Sequence, residues 1–233
     1  MSQKDMGQKQ KEKEKQSSSA QTDRRGWPNP AIFITIVILG LLSIALVIFF
    51  NHGNPAPVSP GNVNSDSLPG IQTGEAPWPP ELNELRERLK IVGLPALQEE
   101  GSALHIHQHL DIFIHGKSIP VPAAIGFNAR ERFISPIHTH DSNGVIHIES
   151  PTVQTFTLGQ FFDIWGVRWN LNCIGAYCED QQNTIKVFVN GEAVPGDPRL
   201  IALSDHPIIV ITYGTSQELP NPIPSSYVFP PGS

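Results

Sequence analysis

The sequence predicts an α+β protein: a single transmembrane helix, then one exported mixed-sheet domain. Three observations lead there. Residues 31–50, AIFITIVILGLLSIALVIFF, run without a charge. From Leu104 to His115 apolar and polar residues alternate with the period of a β-strand, and shorter β-compatible runs follow at 132–151, 184–189 and 208–213. Two further stretches place apolar residues three and four apart, which is helical spacing.

The uncharged run comes first. Twenty residues at ~1.5 Å rise span ~30 Å, the thickness of a bilayer core. A buried core helix of that length would show a polar stripe, and this one shows none. A cleaved signal peptide would have an apolar region of only ~7–15 residues and a small-residue cleavage site, and NHGNPAPVSP offers no clear one. The run therefore reads as an uncleaved anchor with the lipid bilayer as its partner. Lys4, Lys9, Lys11, Lys13, Lys15, Arg24 and Arg25 precede it, and no Lys or Arg follows until Arg86. That asymmetry places the N-terminus in the cytoplasm and everything from Asn51 onward outside the plasma membrane.

The domain limits follow from composition. Residues 1–30 are a basic, polar segment that buries too little apolar surface to order itself. Residues 51–79 are rich in Pro, Gly, Asn and Ser and read as a linker. The exported domain occupies 80–217, and a Pro-rich tail takes 218–233. Setting aside the N-terminal segment leaves 9 basic and 18 acidic residues, so the exported part excludes nucleic acid as a partner. Cys173 and Cys178 are the only cysteines. Outside the cytoplasm they read as a disulfide, with a thiolate metal pair as the alternative.

Within the domain, Pro80 suits a first helical turn, Leu82, Leu85 and Leu89 form an apolar stripe, and Gly93 and Pro95 stop the helix. The strand beginning at Leu104 sends Leu104, Ile106, Leu110, Ile112 and Ile114 to one side. His105, His107, His109, Asp111, Phe113 and His115 face the other. After the His115-Gly116 turn, Pro120 and Pro122 require the return segment to be an edge strand or to leave the sheet early. In RFISPIHTHDSNGVIHIESP the DSNG turn joins two β-compatible runs. A four-residue turn over 141–144 sets His138 opposite His147 and His140 opposite Val145, with Glu149 one step along the same face. Thr157 and Gln160 fit a capping box that opens a helix with Leu158, Phe161, Phe162 and Trp165 on its core side. Asn190-Gly191 marks a second hairpin, and IIVITY suits a strand buried on both faces.

The order helix, KVFVNGEAV, IIVITYG over residues 155–214 resembles the second half of a β-grasp fold, in which one helix crosses a mixed sheet of four or five strands. VNGE also resembles the opening turn of β-grasp sulfur carriers, but it comes late here and no terminal Gly-Gly follows, so their chemistry does not carry over. With its HxHxHL, HTHD and GVIHIE motifs, the exported region resembles bacterial membrane-anchored His-rich proteins of no assigned function.

Seven of the nine histidines fall within residues 105–147. Neutral imidazole is a favoured ligand of zinc, copper, iron and nickel. Residues i and i+2 of a strand are ~6.6–7 Å apart at their bases, so two imidazoles converge on one ion more easily than three. The candidate ligands are His105, His107 and His109 from one segment and His138, His140 and His147 from the other. Asp141 and Glu149 serve as carboxylate ligands or orient the imidazoles. His52 and His206 fall outside the cluster, with His206 in a turn. Three histidines with an open position suit catalytic zinc, two with a carboxylate suit iron, and four nitrogens in a plane suit Cu(II). Copper or zinc handling or sensing at the outer membrane face is the expectation. A His-ligated hydrolase or oxygenase, or a module whose histidines only hydrogen-bond, are the alternatives. No nucleophile elbow, P-loop or dinucleotide fingerprint is present.

Overall fold

The computed structural model describes residues 63–231. The basic segment, the 31–50 span and the first part of the linker lie outside the described residues, among which no helix is long and apolar enough to cross a membrane.

The fold is α+β. Helix α1 is Leu85–Ile91 and α2 is Leu158–Trp165. The main sheet contains β1 (Leu104–Ile114), β2 (Lys117–Ile119), β5 (Ile137–His138), β6 (Val145–Ser150), β9 (Thr184–Val189), β10 (Glu192–Ala193) and β11 (Ile208–Gly214). Its order is β10-β9-β11-β1-β6-β5, and β2 pairs with the end of β1. β1 and β11 are parallel, whereas the other pairings are antiparallel. Two short hairpins lie apart from it: β3 (Phe127–Asn128) with β4 (Phe133–Ile134), and β7 (Cys173–Ile174) with β8 (Tyr177–Cys178). A disulfide joins Cys173 to Cys178 across the second hairpin.

The alternation in β1 sorts its two faces. Leu110, Ile112 and Ile114 are buried against α2, whose Leu158, Phe161, Phe162 and Trp165 have no exposed surface. An aromatic ring buries ~150–250 Å², so each ring contributes roughly 4–6 kcal/mol of transfer free energy at ~25 cal/mol/Å². α2 carries the full capping box: Thr157 accepts from Gln160 N–H, and the Gln160 side chain accepts from Thr157 N–H. Gln108 also lies on this core face, where its Nε2 donates to the Ile146 carbonyl.

β11 is buried along its whole length. On the second face of the sheet, Phe188, Ile208 and Val210 are covered by Leu219, Ile223, Tyr227 and Phe229. The Pro-rich C-terminal stretch thus lies along the sheet. Part of the Pro/Gly-rich stretch before α1 docks likewise: Leu68 and Trp78 are buried, and Trp165 Nε1 donates to the Trp78 carbonyl.

α1 begins later than Pro80 suggests. Glu81 N–H donates to the Trp165 carbonyl, and the Glu81 carboxylate accepts from Asn83 and Glu84 N–H, so a turn replaces the first helical turn. The Leu85/Leu89 stripe packs into the core as expected. The helix's charged side holds an unexpected feature: Arg88 is fully buried. Its guanidinium pairs with Glu81 and donates to the carbonyls of Pro69 (3.1 Å), Asp163 (2.7 Å) and Ile164 (3.0 Å). It ties the segment before α1 to the C-terminal end of α2. Removing one partner of a buried pair costs about 3–5 kcal/mol. Arg88→Met is therefore expected to lower the urea midpoint by a corresponding amount with an unchanged m-value.

Candidate metal centre

The centre lies on the sheet face opposite α2 and is built by register. His138 pairs with His147, and His147 pairs with His107, across β5, β6 and β1. On the next rank Glu149 pairs with His105. The parallel pairing of His109 with Ile208 sets His206 level with His107, and His206 N–H donates to the His107 carbonyl at 2.6 Å. Four histidines thus stand in one rank across the sheet, in the order His138, His147, His107, His206. Neighbouring ring centroids are 5.6, 4.6 and 6.3 Å apart.

The DSNG hairpin delivers the expected pairing of His138 with His147, but β5 ends there. Thr139 turns away, donating its N–H to the Ile125 carbonyl and its hydroxyl to the Pro122 carbonyl. His140 folds back instead, and its Nε2 lies 3.2 Å from Nε2 of His138. On β1 the Nε2 atoms of His105 and His107 are likewise 3.2 Å apart.

Glu149 is buried between the two pairs. Its Oε1 lies 3.3 Å from His105 Nε2, 3.5 Å from His147 Nδ1 and 3.9 Å from His140 Nε2. Glu100 joins from the segment before β1, with Oε1 3.5 Å from His140 Nε2. Gly101 makes that approach possible: a Cβ there would stand 2.1 Å from the Ser150 carbonyl carbon. Glu100 also lines an open cleft with Phe127, Arg132 and Phe133.

These residues form three overlapping ligand sets, each with its donor atoms within 4.8 Å of one another: His138/His140/His147/Glu149, His105/His107/Glu149 and His107/Asp205/His206. The groups are close enough to hold a metal ion. Their proton states suit it. His138 Nδ1–H donates to the Ser135 carbonyl at 2.9 Å, which leaves the Nε2 lone pair facing the cluster. Burial, with His140 beside it, holds the His138 pKa down to about 4. Burial and then the neighbouring histidines, His140 first, hold His147 down to about 3. His107 is lowered by burial and by His105. Burial raises the Glu149 carboxyl, and Glu100 beside it adds to the rise. His147 Nδ1 is buried and makes no hydrogen bond. A metal ion would satisfy that atom.

Two sequence candidates, His109 and Asp141, stand elsewhere, as does His115 just past the end of β1. His109 Nε2–H donates to the Asn143 carbonyl at 3.0 Å, and its ring stacks on Tyr227 at 3.7 Å. Asp141 is exposed in the turn and belongs to none of the three sets. His115 Nδ1 pairs with Glu218 at 3.1 Å. Sequence reasoning missed Glu100, Asp205 and His206. For His206 the available signal was the parallel pairing of the first and last long strands, which no local pattern carries.

Fold and site together define a class: an α+β domain with a His/Glu ligand cluster on the sheet face opposite its main core. Comparison with protein-family models, curated proteins and solved structures finds no match to this chain.

Proposed function

We propose that this chain is a membrane-anchored, extracytoplasmic protein that binds copper or zinc for metal handling or sensing. One observation carries the reading: His138, His140, His147 and Glu149 bring their donor atoms within 4.8 Å of one another. Imidazole-rich sets with a single carboxylate suit borderline ions such as zinc and copper rather than magnesium or calcium. Binding is favoured over catalysis by donor number. Catalytic zinc keeps three protein ligands and an open position, whereas this set offers four donors, with His105 and His107 adjoining.

The cellular setting belongs to the same proposal. The uncharged 31–50 run and the Lys/Arg asymmetry support an anchor with the domain outside, and the Cys173–Cys178 disulfide suits an oxidising compartment. The strand order β6-β1-β11-β9-β10, with β1 and β11 parallel and α2 across one face, supports a β-grasp-like reading of the domain. Kinship with bacterial membrane-anchored His-rich proteins rests on HxHxHL, HTHD and GVIHIE.

Elemental analysis tests the reading. The full chain, purified in detergent, is equilibrated with Cu²⁺ or Zn²⁺ and freed of unbound ion, beside a His138→Ala/His140→Ala variant. The wild-type chain should retain at least one equivalent, and the variant at least one fewer. Near-zero content in both chains would sink the metal reading. Equal, substantial content would show that the ligands lie elsewhere.

A further inference from the structure

We infer that the His-rich face holds two metal ions, bridged by Glu149. This rests on the metal-binding reading above and extends it.

The first argument is the shape of the two histidine pairs. Side chains at i and i+2 of a strand leave the backbone ~6.6–7 Å apart and stand roughly parallel. His105 and His107 instead lean together until their Nε2 atoms are 3.2 Å apart. His138 and His140 do the same, also at 3.2 Å, on a different segment. Two ligands each ~2.0–2.1 Å from one tetrahedral ion lie roughly 3.3 Å from each other. Each pair therefore already has the bite of two ligands on one ion.

The second argument is how the pairs are joined. The pairs belong to two ligand sets, His138/His140/His147/Glu149 and His105/His107/Glu149, which have only Glu149 in common. β6 lies between β1 and β5 in the sheet, so its Glu149 stands between the pairs. Glu149 Oε1 lies 3.3 Å from His105 Nε2 and 3.9 Å from His140 Nε2, so one oxygen faces both pairs, and a carboxylate can bridge two ions as in sites that clamp two metals. Glu100, with its Oε1 3.5 Å from His140 Nε2, sets a second carboxyl beside the His138/His140 pair. Access comes from solvent at both ends, because the side chains of His105 and His140 are 51% and 44% exposed. The third argument is number. Five imidazoles and a carboxylate exceed the four ligands of an ordinary zinc site, and the surplus is itself arranged as a ligand pair.

The test is stoichiometry and spin coupling in the full chain, stripped with chelator and reloaded with Cu²⁺. Wild type should bind two equivalents, with an electron paramagnetic resonance signal well below its copper content because the two Cu(II) ions couple. His105→Ala/His107→Ala and His138→Ala/His140→Ala should each bind one equivalent with full signal. Retention of that equivalent also shows that each variant is folded. Glu149→Gln should remove the coupling.

Other outcomes overturn the inference in distinguishable ways. One wild-type equivalent, lost with His138/His140, leaves the metal-binding reading intact and removes the second ion. A second equivalent that survives His105→Ala but disappears in His206→Ala places that ion on His107, Asp205 and His206, away from Glu149. Two uncoupled ions remove the bridge. No copper in the wild type overturns both this inference and the reading beneath it.

Discussion

Replacing His147 by leucine is expected to weaken metal binding at the His138/His140 site by more than 100-fold while leaving the metal-free protein as stable as wild type or more so. His147 occupies the middle of the histidine rank, between His138 and His107. It is mostly buried, and its Nδ1 makes no hydrogen bond. Loss of a group that merely orients a ligand costs ~10–100-fold in metal affinity, and loss of a ligand costs more. In the absence of metal the balance reverses. A buried polar atom without a partner costs ~1–3 kcal/mol, and leucine removes it at similar volume. Competition against a chromophoric chelator reads the first effect, and urea unfolding in excess chelator reads the second. A stability loss of core size, ~2–5 kcal/mol, would mean that His147 holds the fold and not a metal. Unchanged affinity would remove it from the ligand set.

Much of this arrangement is legible in the sequence because it is local. The period of two in β1 assigns its faces, the DSNG turn sets His138 against His147, and the Thr157/Gln160 box starts α2. The rest depends on chain crossings that leave no periodic trace. His206 enters the rank only because β11 lies parallel to β1. Glu100 enters because the backbone at Gly101 passes hard against Ser150. Arg88 sits among other charged residues in a short helix and gives no hint that its guanidinium is enclosed by carbonyls. The Pro-rich stretch after Gly214 reads as a tail by composition. Yet IIVITY already implied apolar surface on both sheet faces, and something had to cover the second. Leu219, Ile223, Tyr227 and Phe229 do so, and Tyr227 also claims His109 by stacking. That explains why the third histidine of HIHQH stands apart from the other two.

Acidification is expected to destabilise the metal-free protein steeply between pH 6.5 and 4, with bound metal protecting it over most of that range. In the folded state His138 and His147 titrate near 4 and 3, and His107 is also lowered, chiefly because burial disfavours the imidazolium. In the unfolded chain all three titrate near 6.5. A group whose folded pKa is depressed costs nothing above the unfolded value, where both states are neutral. Below it the unfolded chain takes up protons that the folded chain refuses, so stability falls as pH drops. His138 alone, shifted from 6.5 to about 4, contributes a loss on the order of 3 kcal/mol by pH 4. His147 acts in the same direction. Glu149 and Asp163 oppose it, since burial raises both carboxyls and the folded state then takes up their protons first. That opposition begins at the raised folded pKa of each carboxyl, above the ordinary carboxylate range, and offsets part of the histidine loss. Against a total stability of ~5–15 kcal/mol, the histidine loss is large enough to bring unfolding within reach of pH 4–5. Metal adds stability by preferring the folded state, ~4 kcal/mol at a thousandfold excess over Kd. Because it requires neutral imidazoles, and His138 and His147 stay neutral in the folded state until pH nears 4 and 3, that gain should persist from pH 7.5 toward pH 4.5 and fade only below it. Thermal unfolding at pH 7.5, 6.5, 5.5 and 4.5, with and without Zn²⁺, reads both trends. A metal-free melting temperature that stays flat from pH 7.5 to 4.5 would show that these imidazoles are not held neutral in the folded protein. The same result would remove the electrostatic basis for a preformed site.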